Sequence, residues 1–247
     1  MLYNLNMFKK LSYLLTLLII AGCSTESDFE KYKEHVVTLS SDEFEGRAPG
    51  TPGGIKTKNY IADHFESLGI KNFGGSYLMG VDLTGITLDE NESSFNLEVY
   101  GETLDIKYKS DVVYGTTRQV ENVSFENSDL VFVGYGVNAP EYGWNDYKVD
   151  VNGKTVVMLI NDPGFELQNT EFNGRAMTYY GRWTYKFEEA ARQGAAGVLI
   201  IHETAPASYP WGVVENGWSG EQLNLTFKDK NLGRSALEGW ITLDVAE

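Results

Sequence analysis

Leu-Val-Phe-Val-Gly-Tyr-Gly-Val at 130–137, Gly-Lys-Thr-Val-Val-Met-Leu-Ile-Asn-Asp at 153–162, and Lys-Phe-Glu-Glu-Ala-Ala-Arg-Gln-Gly-Ala-Ala-Gly-Val-Leu-Ile-Ile-His-Glu at 186–203 decide the fold. The first two are short apolar runs rich in β-branched residues, each closed by a turn signal, and such runs fit buried strands better than helices. In the third, Phe187, Ala190, Ala191 and Ala195 recur at helical spacing. Gly194 stands where a left-handed residue would stop that helix, and Val198 to Ile201 resume as a strand. A helix that feeds a buried strand after a short turn is the usual α/β connection. The expected fold class is therefore α/β, in the broader α+β sense.

Gly153, Lys154 and Val156, then Lys186, Ala190, Gly194, Ala195, Gly197 and Val198, together form a spaced signature that resembles the protease-associated (PA) domain. The flanks narrow the likeness. Val-Gly-Tyr-Gly-Val-Asn-Ala-Pro-Glu-Tyr-Gly-Trp-Asn-Asp-Tyr at 133–147 and Met-Thr-Tyr-Tyr-Gly-Arg-Trp-Thr-Tyr-Lys at 177–186 are similar to PA domains of bacterial di-zinc aminopeptidases, metallopeptidase family 28. Glu-Gly-Arg-Ala-Pro-Gly-Thr-Pro-Gly at 45–53, with Tyr60-Ile61-Ala62 and Leu68-Gly69, resembles the segment that opens the catalytic domain of those enzymes. The resemblance implies a PA core of β-sandwich or barrel-like form with flanking helices, preceded by the opening helices of an incomplete zinc-peptidase α/β domain.

A chain of 247 residues with 42% hydrophobic side chains has ample material for a core in one or two domains. Its formal charge is −15, with no Lys/Arg cluster to offset it locally. That balance repels phosphate backbones and argues against a nucleic-acid partner. Cys23 stands alone, so neither an intrachain disulfide nor a cysteine-built zinc site is available. Lys9 and Lys10 precede an apolar run from Leu11 to Ile20, and Ile20-Ala21-Gly22-Cys23 reads as a lipobox. The run is too short to cross a bilayer core of about 30 Å as a helix, and it suits a signal peptide. By likeness to bacterial lipoproteins, Cys23 becomes the acylated residue that anchors an exported chain to a membrane.

Phe29, Tyr32, Val36 and Leu39 mark an amphipathic helix, and Ile55, Ile61, Phe65 and Leu68 mark a second one from Pro52, with Thr51 as its cap. Tyr77 to Asp89 reads as extended, and Phe95 to Tyr108 as a hairpin turning at Gly101. Val112 to Tyr114 and Val120 to Phe125 are further strand candidates, and the chain after Ile201 reads as aromatic and irregular. The expected organisation is a signal peptide at 1–23, the start of a catalytic domain at 24–92, the PA domain at 93–238, and a return toward the catalytic domain at 239–247. Thr242 to Glu247 looks like a helix start without its body, so the sequence is read as the front part of a longer enzyme.

Hydrolysis by two zinc ions needs histidine and carboxylate ligands with a carboxylate base. His35, His64 and His202 are the three histidines, none opens a His-x-Asp motif, and Pro206 stands where His202-Glu203 would need a second histidine. No Gly-x-Ser-x-Gly elbow occurs. The sequence therefore assigns neither catalytic nor metal-ligating residues and expects no cofactor here; two zinc ions are implied for the complete enzyme by resemblance. The aromatic loops, with Tyr142, Trp144, Tyr180, Trp183, Trp211 and Trp218, are the candidates for contact with a peptide or protein substrate. The competing expectation is a stand-alone PA lipoprotein that binds peptide or glycan, and the same rings would also serve the domain's own core.

Overall fold

The computed structural model describes residues 25–167 and 171–247, so Cys23 and the expected signal peptide lie outside the described residues. The described residues divide into two compact units, the first ending at Gly80 and the second beginning at Val81.

In the first unit, helix α1 spans Thr25–Leu39 and helix α2 spans Pro52–Ser67, with a 3-10 segment at Asp42–Arg47 in the loop between them. Thr51 caps α2 by accepting a hydrogen bond from the Gly54 backbone at 3.1 Å, and Pro52 occupies the first turn, where a missing N–H costs nothing. The Arg47 guanidinium donates to the Leu39 carbonyl, and Lys56 pairs with Glu43 at 2.9 Å, which fold the loop back on itself. Phe44 is buried beneath these contacts. The stripe expected to be the apolar face of α2 lies open: Ile55, Ile61, Phe65 and Leu68 are all exposed.

The second unit is a mixed α/β structure. Its strands are β1 (Leu83–Ile86), β2 (Glu98–Val99), β3 (Glu102–Thr103), β4 (Val112–Gly115), β5 (Leu130–Phe132), β6 (Asn138–Ala139), β7 (Trp144–Asn145), β8 (Thr155–Leu159), β9 (Gly197–His202), β10 (Gln222–Leu225) and β11 (Leu237–Thr242). Five of them form one sheet in the order β4-β11-β9-β8-β5. β11, β9, β8 and β5 run parallel, and β4 joins antiparallel at one edge. Helix α3 is the short turn Gly164–Leu167, and helix α4 (Trp183–Arg192) precedes β9. After β9 come the short helix α5 (Thr204–Ala207) and α6 (Trp211–Trp218), and α7 (Leu243–Ala246) follows β11. One face of the sheet packs Val156, Met158, Val198, Ile200 and Trp240 against Phe187 and Ala190 of α4. The other face packs Leu199, Ile201 and Ile241 beneath Phe95, Leu97 and Ile106 from the β2–β3 region. β5 is the open edge, where Leu130 and Phe132 face outward.

The three quoted runs therefore form β5, β8 and the α4–β9 unit. Two glycines explain how the last of these closes. Gly194 ends α4 at φ +84°, a conformation that L side chains rarely adopt, and a Cβ there would lie 2.6 Å from the Asn152 side chain. Gly197 opens β9 where a Cβ would lie 2.7 Å from the Thr155 hydroxyl. The Gly153 N–H donates to the Gly194 carbonyl at 2.9 Å, and the Ala196 N–H to the Lys154 carbonyl at 2.8 Å. These bonds join the two halves of the spaced signature.

Other elements differ from the sequence reading. Val120 to Phe125 forms no strand, because its backbone pairs with no neighbouring strand; the residues just before it are held by side-chain bonds, Gln119 to the Leu225 carbonyl and the Phe227 N–H, and Arg118 to the Arg234 carbonyl. Residues 211–218, expected to be irregular, form α6, whose Val214 is buried in the main core. The second unit begins at Val81, ahead of the 92/93 boundary read from sequence, because β1 pairs with β10. Residues 239–242, read as a return to another domain, lie inside the sheet as most of β11, between β9 and β4.

Two outcomes follow. Gly197→Ala forces the Thr155 side chain and the Phe125 ring to give way and should cost about 1–3 kcal/mol in denaturant unfolding. In native-state hydrogen exchange, α2 should exchange faster than β8 and β9, since its apolar stripe is uncovered; equal protection would contradict that.

Candidate functional site

In open α/β sheets, ligands gather beyond the carboxyl ends of parallel strands. Here those ends carry Tyr135 after β5, Asn161 and Asp162 after β8, and His202 and Glu203 at the end of β9. The chain itself occupies most of this edge. Asp162 is fully buried, and its carboxylate accepts hydrogen bonds from the Gly164 N–H (3.1 Å), the Thr178 N–H (2.9 Å) and the Thr178 hydroxyl (2.5 Å). Asn161 adopts φ +73°, donates to the Pro206 carbonyl at 2.8 Å and accepts from the Asp162 N–H at 2.8 Å. His202 lies 3.0 Å from the Tyr209 carbonyl through Nε2, with the rings of Tyr209, Trp211 and Trp240 around it. Burial pushes its pKa down, and the bond to Tyr209 opposes that shift. Groups bound this fully hold loops in place. Glu203 is half-buried, and desolvation together with Glu166 and Glu247 raises its pKa. Tyr135 is pushed up to about 12 by burial and the acids near it.

Lys186 is the unusual charge. Its side chain is wholly buried on α4, and its ammonium donates to the Tyr135 carbonyl at 2.5 Å. Desolvation holds its pKa down at about 7, although Asp146 and Asp162 pull the other way. The lysine of the spaced signature thus bridges α4 to the loop after β5. Asp146 supports the same loop, accepting from the Val137 N–H at 3.0 Å and the Trp144 indole at 2.9 Å.

The six aromatic candidates fall into two groups divided by α4. Tyr142, Trp144 and Tyr180 pack around the buried ring of Phe172, at centroid separations of 4.8, 5.5 and 6.2 Å. Tyr180 continues to Tyr185 on α4, and its hydroxyl donates to Glu141. On the other side, Trp183 and Phe187, one helical turn apart, meet Trp218, which in turn touches Trp240. Trp211 is half-buried and donates through its indole to the Lys109 carbonyl at 2.8 Å. Trp144, Tyr180, Trp211 and Trp218 are thus half-buried within the fold, whereas Tyr142 and Trp183 are each 41% exposed. Tyr179, absent from the sequence candidates, is 60% exposed and stacks edge-on against Tyr185. Its only signal in the sequence is its position beside Tyr180. Within these two aromatic clusters, the rings that face solvent are Tyr142, Tyr179 and Trp183.

Among the described residues, no group of three or more His, Cys, Asp or Glu side chains is placed to hold a metal ion. No helix there is long and apolar enough to cross a membrane. No family model matches the chain, and neither a curated protein nor a solved structure was found that matches it.

Lys186 generates a pH prediction. Unfolded, a lysine side chain stays protonated up to about 10.5; folded, it loses its proton near 7. Between those values the unfolded chain binds the extra proton, so stability rises with pH by up to about 1.4 kcal/mol per unit. Lys186→Met should flatten that rise in urea titrations between pH 7.5 and 9.5, below the range where the tyrosines ionise. An unchanged slope would show that Lys186 does not titrate there.

Proposed function

We propose that this chain is the front part of an exported, zinc-dependent aminopeptidase, and that residues 93–238 act as its PA domain, which shapes or limits the entry of peptides. In this reading the di-zinc catalytic centre belongs to sequence beyond these residues, and Cys23 carries the lipid that holds the protein at a membrane. The observation that carries the reading is the convergence of the signature residues. Gly153 and Lys154 hydrogen-bond to the turn at Gly194–Ala196, Gly197 admits the close approach of β8, and Lys186 is buried against the loop that begins Val133-Gly-Tyr-Gly-Val. A spacing pattern that arose by chance has no reason to bring its members together. A PA role also suits a unit whose polar groups at the sheet's carboxyl edge are engaged internally while Tyr142, Tyr179 and Trp183 face solvent.

A second reading, a stand-alone lipoprotein that binds peptide or glycan, rests on the same exposed rings. Sequencing the gene past the Glu247 codon separates the two: an open frame with a His-x-Asp motif supports the peptidase, and an immediate stop supports the binding module. The purified chain should not hydrolyse aminoacyl-nitroanilides with or without added zinc. Zinc-dependent turnover by this chain would overturn the assignment of catalysis to a downstream part.

A further inference from the structure

His35 sits in the third turn of α1, and Tyr60 and His64 lie one turn apart on α2. Residues at i and i+4 share a helix face, so α2 presents the phenol and the imidazole together. The His35 and His64 rings are 4.3 Å apart between centroids, and the Tyr60 hydroxyl is 2.6 Å from His35 Nδ1. All three side chains are half-buried, so the cluster is partly shielded yet reachable from solvent. We propose that His35, Tyr60 and His64 form a binding site for a borderline divalent cation (zinc, copper or nickel) at the seam of α1 and α2. This inference stands apart from the peptidase reading and from any catalytic zinc of a longer enzyme.

The geometry admits an ion with small adjustments. A metal–imidazole bond of about 2.1 Å puts each ring centre roughly 3.2 Å from the ion, so the two centres lie about 4.5 Å apart at the right angle of a tetragonal copper or nickel site and about 5.2 Å apart at the tetrahedral angle of zinc. The observed 4.3 Å is close to the tetragonal value, so copper or nickel fits with the smaller adjustment and zinc requires the rings to part by about 1 Å. The Nδ1–hydroxyl contact would open to about 3 Å as the ion displaces the shared proton. Imidazole nitrogen suits zinc, copper and nickel, whereas calcium and magnesium demand a set of oxygens that this cluster lacks. With two imidazoles and a phenol oxygen as its protein ligands, the ion keeps water at its remaining positions and exchanges readily. Sequence spacing does not reveal the site, because His35 and His64 come from different helices and the third ligand is a tyrosine.

The test is calorimetric titration of the full chain with zinc alone and with copper alone, backed by copper electron paramagnetic resonance. One equivalent should bind, and the copper spectrum should show coupling to two nitrogens. His35→Gln and His64→Gln should each weaken binding by about tenfold or more, a loss at least as large as outer-shell changes cause. Tyr60→Phe should weaken it less and shift the copper absorption bands. His202→Gln serves as the control and should leave the titration unchanged. Unaltered helical circular dichroism in each variant separates ligand loss from unfolding. Binding that survives either histidine change, or copper coupled to fewer than two nitrogens in the unsubstituted chain, overturns the proposal.

Discussion

Every residue of β9 is buried, and its backbone pairs on both sides, with β8 and with β11. A strand buried on both faces needs cover above and below, and the remaining elements of the second unit supply it. α4 and the residues around Trp240 cover one face, while the β2–β3 region covers part of the other. The parallel arrangement follows from the same demand, since a crossover helix such as α4 brings the chain back over the sheet before the next strand begins. Only at its carboxyl end does β9 present a polar side chain, His202, and there the Tyr209 carbonyl lies at 3.0 Å.

Against that background, the buried ammonium of Lys186 acts as a connector between helix and loop. Its bond to the Tyr135 carbonyl crosses from α4 to the segment after β5, and Asp146 braces that segment from the other side. Taking an ammonium out of water is costly, and here the cost is reduced because the group can shed its proton near neutrality. The aromatic side chains arrange themselves around the same helix, with Tyr185 serving one cluster while Trp183 and Phe187 serve the other. Most of the rings chosen from sequence as ligand candidates therefore contribute to packing, and the solvent-facing ones are those at the rims of the two clusters.

How much of this was legible in the amino-acid sequence depended on range. Short apolar runs mark β5, β8 and β9; β9, buried on both faces, needs no alternation, whereas β5 at the sheet edge leaves Leu130 and Phe132 exposed. Thr51 and Pro52 announce α2 through local capping chemistry. β11 is harder to read: Gly239 and Trp240 interrupt its pattern, and its place between β9 and β4 is set by partners far away in the chain. α6 is masked by its two glycines and its aromatic ends, and it gains its stability from Val214 in the core. Tyr179 and Tyr180 both meet Tyr185 edge-on, but Tyr180 also packs against the buried Phe172 while Tyr179 stays exposed, a difference set by a tertiary partner. The contact between His35 and His64 is likewise a tertiary event, with no counterpart in either helix alone.

The position of β11 has a consequence for biogenesis. It is the last of the five sheet strands to leave the ribosome, yet it occupies an interior place between β9 and β4. Until it arrives, β9 has one edge unpaired, and β4 lacks its only neighbour in the sheet. The nascent polypeptide cannot complete this sheet strand by strand as it emerges. It must wait, with sticky edges open, and then close in a single late step.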